Sequence, residues 1–284
     1  MPSTEPASAT ARSPAGASVT VQRLGTISVV SVQGPLSEAA DLAHSAVLLE
    51  LAEAPAAVLC DLSGVTGPPE PDSSERLASL GEQTRRWPGT PIAAITPDPV
   101  LRRCLEQAPG GRHLAIAAAA ADVWGSLADG STTAMVRERM PAAAPSAHDA
   151  RELVAGACMD WGRSSETAAA TLVVSELVTN AVADHGSDIE VSVARCGPRL
   201  RVAVRRPGTR PGRAADPDGL TLDIAGPAMM LVEGVSESWG VLPTRDDGEV
   251  VWAVLLDPAS GSGSGAPART RTSRSRRPAS RSTT

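Results

Sequence analysis

The sequence predicts two domains in tandem, an α/β domain followed by an α+β sandwich. The chain has 284 residues, which is enough for two domains of ordinary size. Over residues 18–128, short apolar runs alternate with helical patterns, which predicts right-handed crossovers and a sheet with parallel pairs. Over residues 141–257, two helical patterns come before three strand-like runs, which favours helices packed on an antiparallel sheet.

In the first domain, the elements follow from apolar periodicity and from the turn residues that bound each run. Two strands flank Gly25, and the short apolar run that ends at Asp61 is typical of a buried strand. The predicted strands are 19–24, 26–33, 57–61, 91–96 and 113–117, and the predicted helices are 36–53, 72–86, 99–107 and 120–128.

The second domain follows a polar stretch, residues 129–140, that lacks periodicity and is expected to be a linker. Its predicted helices are 147–161, 165–184 and 227–235, and its predicted strands are 188–194, 200–206 and 250–256. A loop rich in Pro, Gly and Asp follows the second of these strands, over residues 207–219. Residues 1–17 and 258–284 have compositions that cannot build a core, and we expect both to be disordered tails.

Composition and charge argue against several classes of function. All 26 basic residues are Arg, and residues 1–258 carry 20 of them against 32 acids. Such an acidic body argues against direct nucleic-acid binding, and the six Arg of the C-terminal tail are either solvated or a functional arm. The four scattered Cys are typical of buried free thiols rather than metal ligands or disulfides. Without a signal peptide or a run of roughly eighteen apolar residues, we expect a cytoplasmic protein that does not contact a membrane.

A carboxylate and an amide lie four residues apart on the helix predicted for residues 165–184. Glu176 and Asn180 share one helix face, beside the apolar stripe that faces the core. The Asn oxygen suits Mg²⁺, and the neighbouring carboxylate could orient or deprotonate a hydroxyl that attacks a γ-phosphate. The alternative is an exposed polar face, because such pairs are common on amphipathic helices.

The segment Ser175-Glu176-Leu177-Val178-Thr179-Asn180-Ala181 resembles the Bergerat-type (GHKL) ATP-binding domain of the bacterial anti-sigma-factor serine kinases. The likeness extends over residues 141–257, with Ala150-Arg151-Glu152-Leu153 before the segment and Trp239-Gly240-Val241 after it. It implies an α+β ATPase sandwich that binds ATP and Mg²⁺. In that family the matching Glu activates the substrate serine and the matching Asn holds Mg²⁺, so these roles fall to Glu176 and Asn180.

The chain departs from this family at two places where the nucleotide is held. The family has an Asp that accepts a hydrogen bond from adenine, whereas Arg205-Arg206 stands there and offers no acceptor. The family's Gly-x-Gly-Leu, which supplies backbone N–H groups to the phosphates, corresponds here to Gly226-Pro227-Ala228-Met229. Gly226 and Ala228 are therefore the candidate cofactor-binding residues, although the proline removes one N–H and the alanine adds a Cβ. Two loop acids, Asp216 and Asp218, either take over the adenine contact or simply form turns.

In the first domain, the run Cys60-Asp61-Leu62-Ser63-Gly64-Val65-Thr66 is followed by Asp72-Ser73-Ser74. This pattern resembles the STAS fold of anti-sigma-factor antagonists over residues 18–128, with a longer connection over residues 67–71. The resemblance implies that Ser73 or Ser74 is a phosphoacceptor exposed at a helix N-terminus, where a phosphate would meet free N–H groups. A helix cap formed by Asp72 with Glu75 accounts for the same residues without phosphorylation.

Together, the resemblances imply a bacterial regulator of the partner-switching type, in which a serine/threonine kinase-like domain acts on a STAS-type serine. The expected partners are a sigma factor, a STAS-type antagonist, or the chain's own first domain at roughly millimolar effective concentration. The alternative is a non-catalytic scaffold that keeps both folds as protein-interaction surfaces. A sensor histidine kinase fragment is disfavoured, because no phosphoacceptor His is placed in a dimerisation-type helix pair.

Overall fold

Strands β1 to β6 form the sheet of the first domain and lie side by side in chain order. The computed structural model describes residues 9–13, 16–123, 125, 127, 134–183, 188–208 and 227–256. β1, β2 and β3 pair antiparallel, whereas β3 to β6 are parallel. Their bounds are β1 Ala9–Arg12, β2 Ser18–Leu24, β3 Ile27–Pro35, β4 Ala57–Thr66, β5 Ile92–Ile95 and β6 Ala115–Ala117.

Four helices pack on one face of this sheet: α1 (Leu36–Ala52), α2 (Pro71–Ala78), α3 (Leu80–Arg86) and α4 (Pro99–Gln107). Successive residues of a strand point to opposite faces, so each strand contributes to two cores. Val58 and Cys60 of β4 pack among the helices. Leu59 points the other way and packs with Val123 and Leu127. The mixed α/β architecture predicted from the alternation of strands and helices is therefore confirmed for this domain.

The structure differs from the predicted elements of the first domain in three places. Residues 9–12 form β1, although the sequence predicted a tail there, because they add to the edge of β2 by backbone pairing. The predicted helix 72–86 is two helices that meet at Ser79, whose hydroxyl donates to the carbonyl of Arg76 at 2.6 Å. In the predicted helix 120–128, Ala120–Asp122 is a 3-10 turn. Residues 124, 126 and 128 lie outside the described part of the chain.

The second domain has an antiparallel sheet with the strand order β10-β11-β9-β8-β7. β7 and β10 were not among the predicted strands, and β7 occupies most of the predicted linker 129–140. It is an edge strand in which only Met140 is fully buried, so it carries little apolar periodicity. The bounds are β7 Ala134–Met140, β8 Ile189–Cys196, β9 Arg199–Arg206, β10 Ser238–Pro243 and β11 Glu249–Leu256.

Three helices form a layer on one face of the second sheet: α5 (Ser146–Asp160), α6 (Thr167–Ala183) and α7 (Pro227–Val235). α5 lies over β7 and β8, α6 lies mainly over β9, and α7 lies beside α6 over β10. Helices packed on an antiparallel sheet confirm the predicted α+β class of this domain. The predicted loop 207–219 is described only at Pro207 and Gly208, and the predicted tail 258–284 lies outside the described residues.

The opposite face of the second sheet packs on the helices of the first domain. Val202 and Val204 of β9 face the α5–α7 layer, whereas Arg201 and Ala203 point towards the first domain. Trp252 of β11 joins the same core as the first-domain helices. α1 is therefore buried on nearly all sides, because it lies between two sheets, and its apolar residues are not confined to one stripe.

Candidate functional site

Glu176 and Asn180 lie together on the flank of α6 that faces α7. Both side chains are half-buried. The other flank of α6 contacts α5, since Arg151 donates a hydrogen bond to the Ser175 hydroxyl at 3.2 Å. At about 100° per residue, Glu176 and Asn180 point roughly 100° and 140° away from Ser175, towards α7. The helical spacing seen in the sequence thus places the two side chains at the groove between two helices.

This pair retains free polar atoms for a ligand. Within the described part of the chain, neither side chain has a hydrogen bond or an ion pair assigned to it, whereas the neighbouring Thr179 hydroxyl bonds to the Ser175 carbonyl at 2.7 Å. The carboxylate can accept a proton, and the amide oxygen is a hard ligand that suits Mg²⁺. The described residues hold no cluster of three or more His, Cys, Asp or Glu side chains suited to a metal ion. A Mg²⁺ at Asn180 would therefore take most of its ligands from phosphate oxygens and water.

Of the two predicted phosphate-binding residues, only Ala228 lies within the described part of the chain. Gly226 lies outside the described residues, as do Asp216 and Asp218. Ala228 is the second residue of α7, which begins at Pro227. A proline at the first helical position is favourable, because the N–H that it lacks has no partner within the helix. The assignment of ATP contacts to Gly226 and Ala228 remains a prediction.

Arg206, which stands where the resembling family has its adenine-binding Asp, is held by a neighbouring strand. It lies opposite Glu249 in the β9–β11 ladder, and its Nη2 donates to Glu249 Oε1 at 2.7 Å. Both side chains are about one quarter exposed. The guanidinium thus forms a cross-strand ion pair at the end of β9, and it provides no acceptor for an adenine amino group.

Ser73 and Ser74 are buried, which contradicts the exposure expected from the sequence. They are 7% and 3% exposed. α2 begins at Pro71, two residues before Ser73, so the serines stand one turn before Leu77 and Ala78 on the same buried face. The expected cap is also wrong, since Glu70 is the N-cap residue and no side chain caps this helix end. Whether either serine is phosphorylated stays a prediction.

A buried contact between the domains was not predicted from the sequence. Trp87, at the end of α3, meets the edge of Trp252 with ring centroids 5.6 Å apart. The guanidinium carbon of Arg201 lies 3.9 Å from the centroid of the Trp87 ring, and Arg201 Nη1 donates to the Pro88 carbonyl at 2.5 Å. Burial lowers the pKa of Arg201 to about 10, so it remains a cation at neutral pH.

Ion pairs surround this contact. Arg205 donates to Glu53 at 2.8 Å, and Arg245 pairs with Glu50, whose side chain is fully buried and also accepts from the Ser28 hydroxyl at 2.5 Å. Two features of the sequence point to this interface in retrospect. Apolar residues occupy most of the circumference of the helix over residues 36–52, which leaves only a narrow polar stripe at Ser37, Asp41 and Ser45. β9 carries Arg at 199, 201 and 205 on one face of a strand.

Comparisons with known proteins give one solved structure to report. The chain is similar to the crystal structure of an anti-sigma factor antagonist from Mycobacterium paratuberculosis, with 23% sequence identity and a TM-score of 0.33. The similarity covers 40% of this chain and 97% of that chain. No protein-family model matches the sequence, and no curated protein matches it. Among the described residues, no helix is long and apolar enough to cross a membrane.

Proposed function

We propose that this protein is a cytoplasmic bacterial regulator of the partner-switching type whose second domain binds Mg-ATP and phosphorylates a serine of a STAS-type antagonist. A sigma factor is the second proposed partner. The observation that carries the proposal is the placement of Glu176 and Asn180 on the flank of α6 that faces α7, half-buried and without a hydrogen bond or ion pair to any other described residue. The resemblance of residues 175–181 to the anti-sigma-factor kinases supports the same chemistry.

In the proposed reaction, the substrate serine oxygen attacks the γ-phosphorus of ATP. Glu176 accepts the proton of that hydroxyl, a new P–O bond forms to serine, and the bond between the γ-phosphorus and the bridging oxygen of ADP breaks. The Asn180 amide oxygen would hold Mg²⁺, which would supply positive charge to the phosphate oxygens. Both side chains stand four residues apart on one rigid helix, which keeps base and metal ligand in a constant relation.

Calorimetric titration of the full chain with Mg-ATP tests the binding step. We expect heat of binding for the wild type and a 10- to 100-fold weaker affinity for Asn180→Ala, about the effect of losing one contact to a charged group. Thr179→Ala is the matched control, because Thr179 is the adjacent, exposed residue of the same helix and should leave the affinity unchanged. Absence of binding by the wild type would refute the nucleotide-binding part of the proposal.

A second candidate function is a non-catalytic scaffold in which both domains are protein-binding surfaces. Two observations favour it: Arg206 forms an ion pair with Glu249, and Ser73 and Ser74 are buried. Incubation with γ-labelled ATP and a STAS-type antagonist separates the two functions. Label on a serine of the antagonist that disappears with Glu176→Ala would refute the scaffold, whereas binding of the antagonist without label would support it.

A further inference from the structure

We propose that the first domain is a fixed cover of the second sheet and is not the in-chain acceptor for the site on α6. An acceptor serine would then have to come from a separate molecule. The part of this inference that concerns the acceptor rests on the proposed function, whereas the part that concerns the cover does not. The fusion of two such domains would otherwise suggest that the kinase-like domain phosphorylates its own chain.

The two sheets and their helices are stacked in layers. The helices α1 to α4 lie on the face of the first sheet that is turned towards the second sheet, which contacts α1 and Trp87 at the end of α3, and the helices α5 to α7 lie on the far side of the second sheet. Ser73 and Ser74 are in α2, within the first of these helix layers, whereas Glu176 is in α6, within the second. The second sheet therefore stands between the base and both serines.

Both serines of α2 are buried. Ser74 is 3% exposed, and its hydroxyl has no hydrogen-bond partner in the described part of the chain. A hydroxyl must approach the γ-phosphorus to within about 3–3.5 Å before transfer. Ser73 and Ser74 could do so only if α2 left its place against α1 and α4, with which it packs.

The contact between the two domains buries apolar side chains. On β10 and β11 the face of the second sheet that the first domain covers is apolar, with Leu242, Val250, Trp252 and Val254 each 3% exposed or less. Separation of the domains would expose this face together with Trp87. Apolar area of this kind, with aromatic side chains at its centre, is typical of permanent interfaces rather than of transient ones.

The buried cation makes the contact specific. Among the described residues no carboxylate pairs with Arg201, which instead uses the ring of Trp87 and the carbonyl of Pro88, both in the first domain. The Cys196 thiol approaches the same carbonyl, with Sγ 3.2 Å from the oxygen. A buried guanidinium whose partners all belong to the other domain fixes the register of the two domains as well as their contact.

Hydrogen exchange of the full chain tests the cover directly. We expect the amides of α1 and of β9 and β11 to lose protection at the same denaturant concentration, and Mg-ATP to leave the exchange of α1 unchanged. Arg201→Met should lower that common midpoint, whereas Arg139→Met, which removes an exposed Arg from β7 of the same sheet, should not. Exchange of the α1 amides at least tenfold faster than that of β9 in native buffer would overturn the proposal, and this comparison needs only the wild type.

Phosphoryl transfer tests the acceptor. The full chain is incubated with γ-labelled ATP over a dilution series, alone and mixed with a Glu176→Ala copy of different mass. Label on Ser73 or Ser74 whose rate per molecule is independent of dilution would overturn the proposal. Label on Ser73 or Ser74 of the Glu176→Ala copy would overturn the burial of these serines on which the proposal rests, whereas label confined to a serine of an added STAS-type antagonist would support the proposal. If no ATP is bound and no label appears on any molecule, the proposed function fails, while the exchange experiment still decides whether the first domain is a fixed cover.

Discussion

Replacement of Trp87 by Ala should destabilise both domains at once. The indole is 1% exposed, lies at the centre of the interface, and contacts the ring of Trp252 and the guanidinium of Arg201. A buried aromatic side chain covers about 150–250 Å², and truncation of Trp to Ala in a core costs about 3–5 kcal/mol. Loss of the cation–π contact adds up to about 2 kcal/mol, part of which Arg201 regains if water enters the cavity. We expect a net loss of about 4 kcal/mol.

Urea unfolding followed by far-ultraviolet circular dichroism gives the loss in free energy, and hydrogen exchange of the β9 and β11 amides reports on the second sheet. Trp87→Phe is the matched control, because it keeps an aromatic ring under Arg201 and removes an indole N–H that has no partner among the described residues. Its expected cost is about 1–2 kcal/mol. A loss below about 1 kcal/mol for Trp87→Ala, or a second-sheet midpoint that does not move, would refute the argument from interface packing.

Three further predictions concern charges and thiols. Arg245→Met should lower the free energy of unfolding by about 3–5 kcal/mol, because it removes the main partner of the buried Glu50 carboxylate. Glu50→Gln should lower it less, because Arg245 is 39% exposed and stays hydrated. Equal losses in urea unfolding would contradict this. The two hydrogen bonds from Arg199 hold the pKa of Glu237 below its usual value of 4.5, so its contribution to stability should be complete above that pH and be lost as the pH falls through the lower, folded-state pKa. Glu237→Gln should flatten this acid limb of a pH series, and an unchanged slope would count against the pair. Burial, reinforced by Asp61, raises the pKa of Cys60 to about 12, so a thiol reagent at neutral pH should modify half-buried Cys104 first; early labelling of Cys60 would contradict the buried position of β4.

Much of the local structure could be predicted because it depends on neighbours in the sequence. The bounds predicted for α7, 227–235, agree with the structure, and the common helix face of Glu176 and Asn180 follows from helical spacing alone. The exposure of Ser73 and Ser74 was predicted wrongly from their position at a helix N-terminus. Both serines lie one turn before Leu77 and Ala78 on the face of α2 that packs against its neighbouring helices, and this packing buries them.

Edge strands were the elements that the sequence predicted least well. β7 has a single fully buried residue, Met140, so its alternation is too weak to distinguish it from a polar linker. β1 is four residues long and depends on β2 for its backbone partners. Backbone hydrogen bonds to a neighbouring strand stabilise such a strand, and they do not require an alternating pattern of apolar side chains.

The sequence by itself determined the class of each domain, the position of most helices and the common face of Glu176 and Asn180, because these depend on periodicity over a few turns. Only the tertiary structure decided that the second sheet is covered on both faces, by its own helices on one side and by the first domain on the other. Arg201 and Pro88 are 113 residues apart, and their contact depends on how two finished domains pack. The same packing places the second sheet between Ser73 or Ser74 and Glu176. Local spacing cannot specify such a relation, because it arises from the burial of two apolar surfaces against each other.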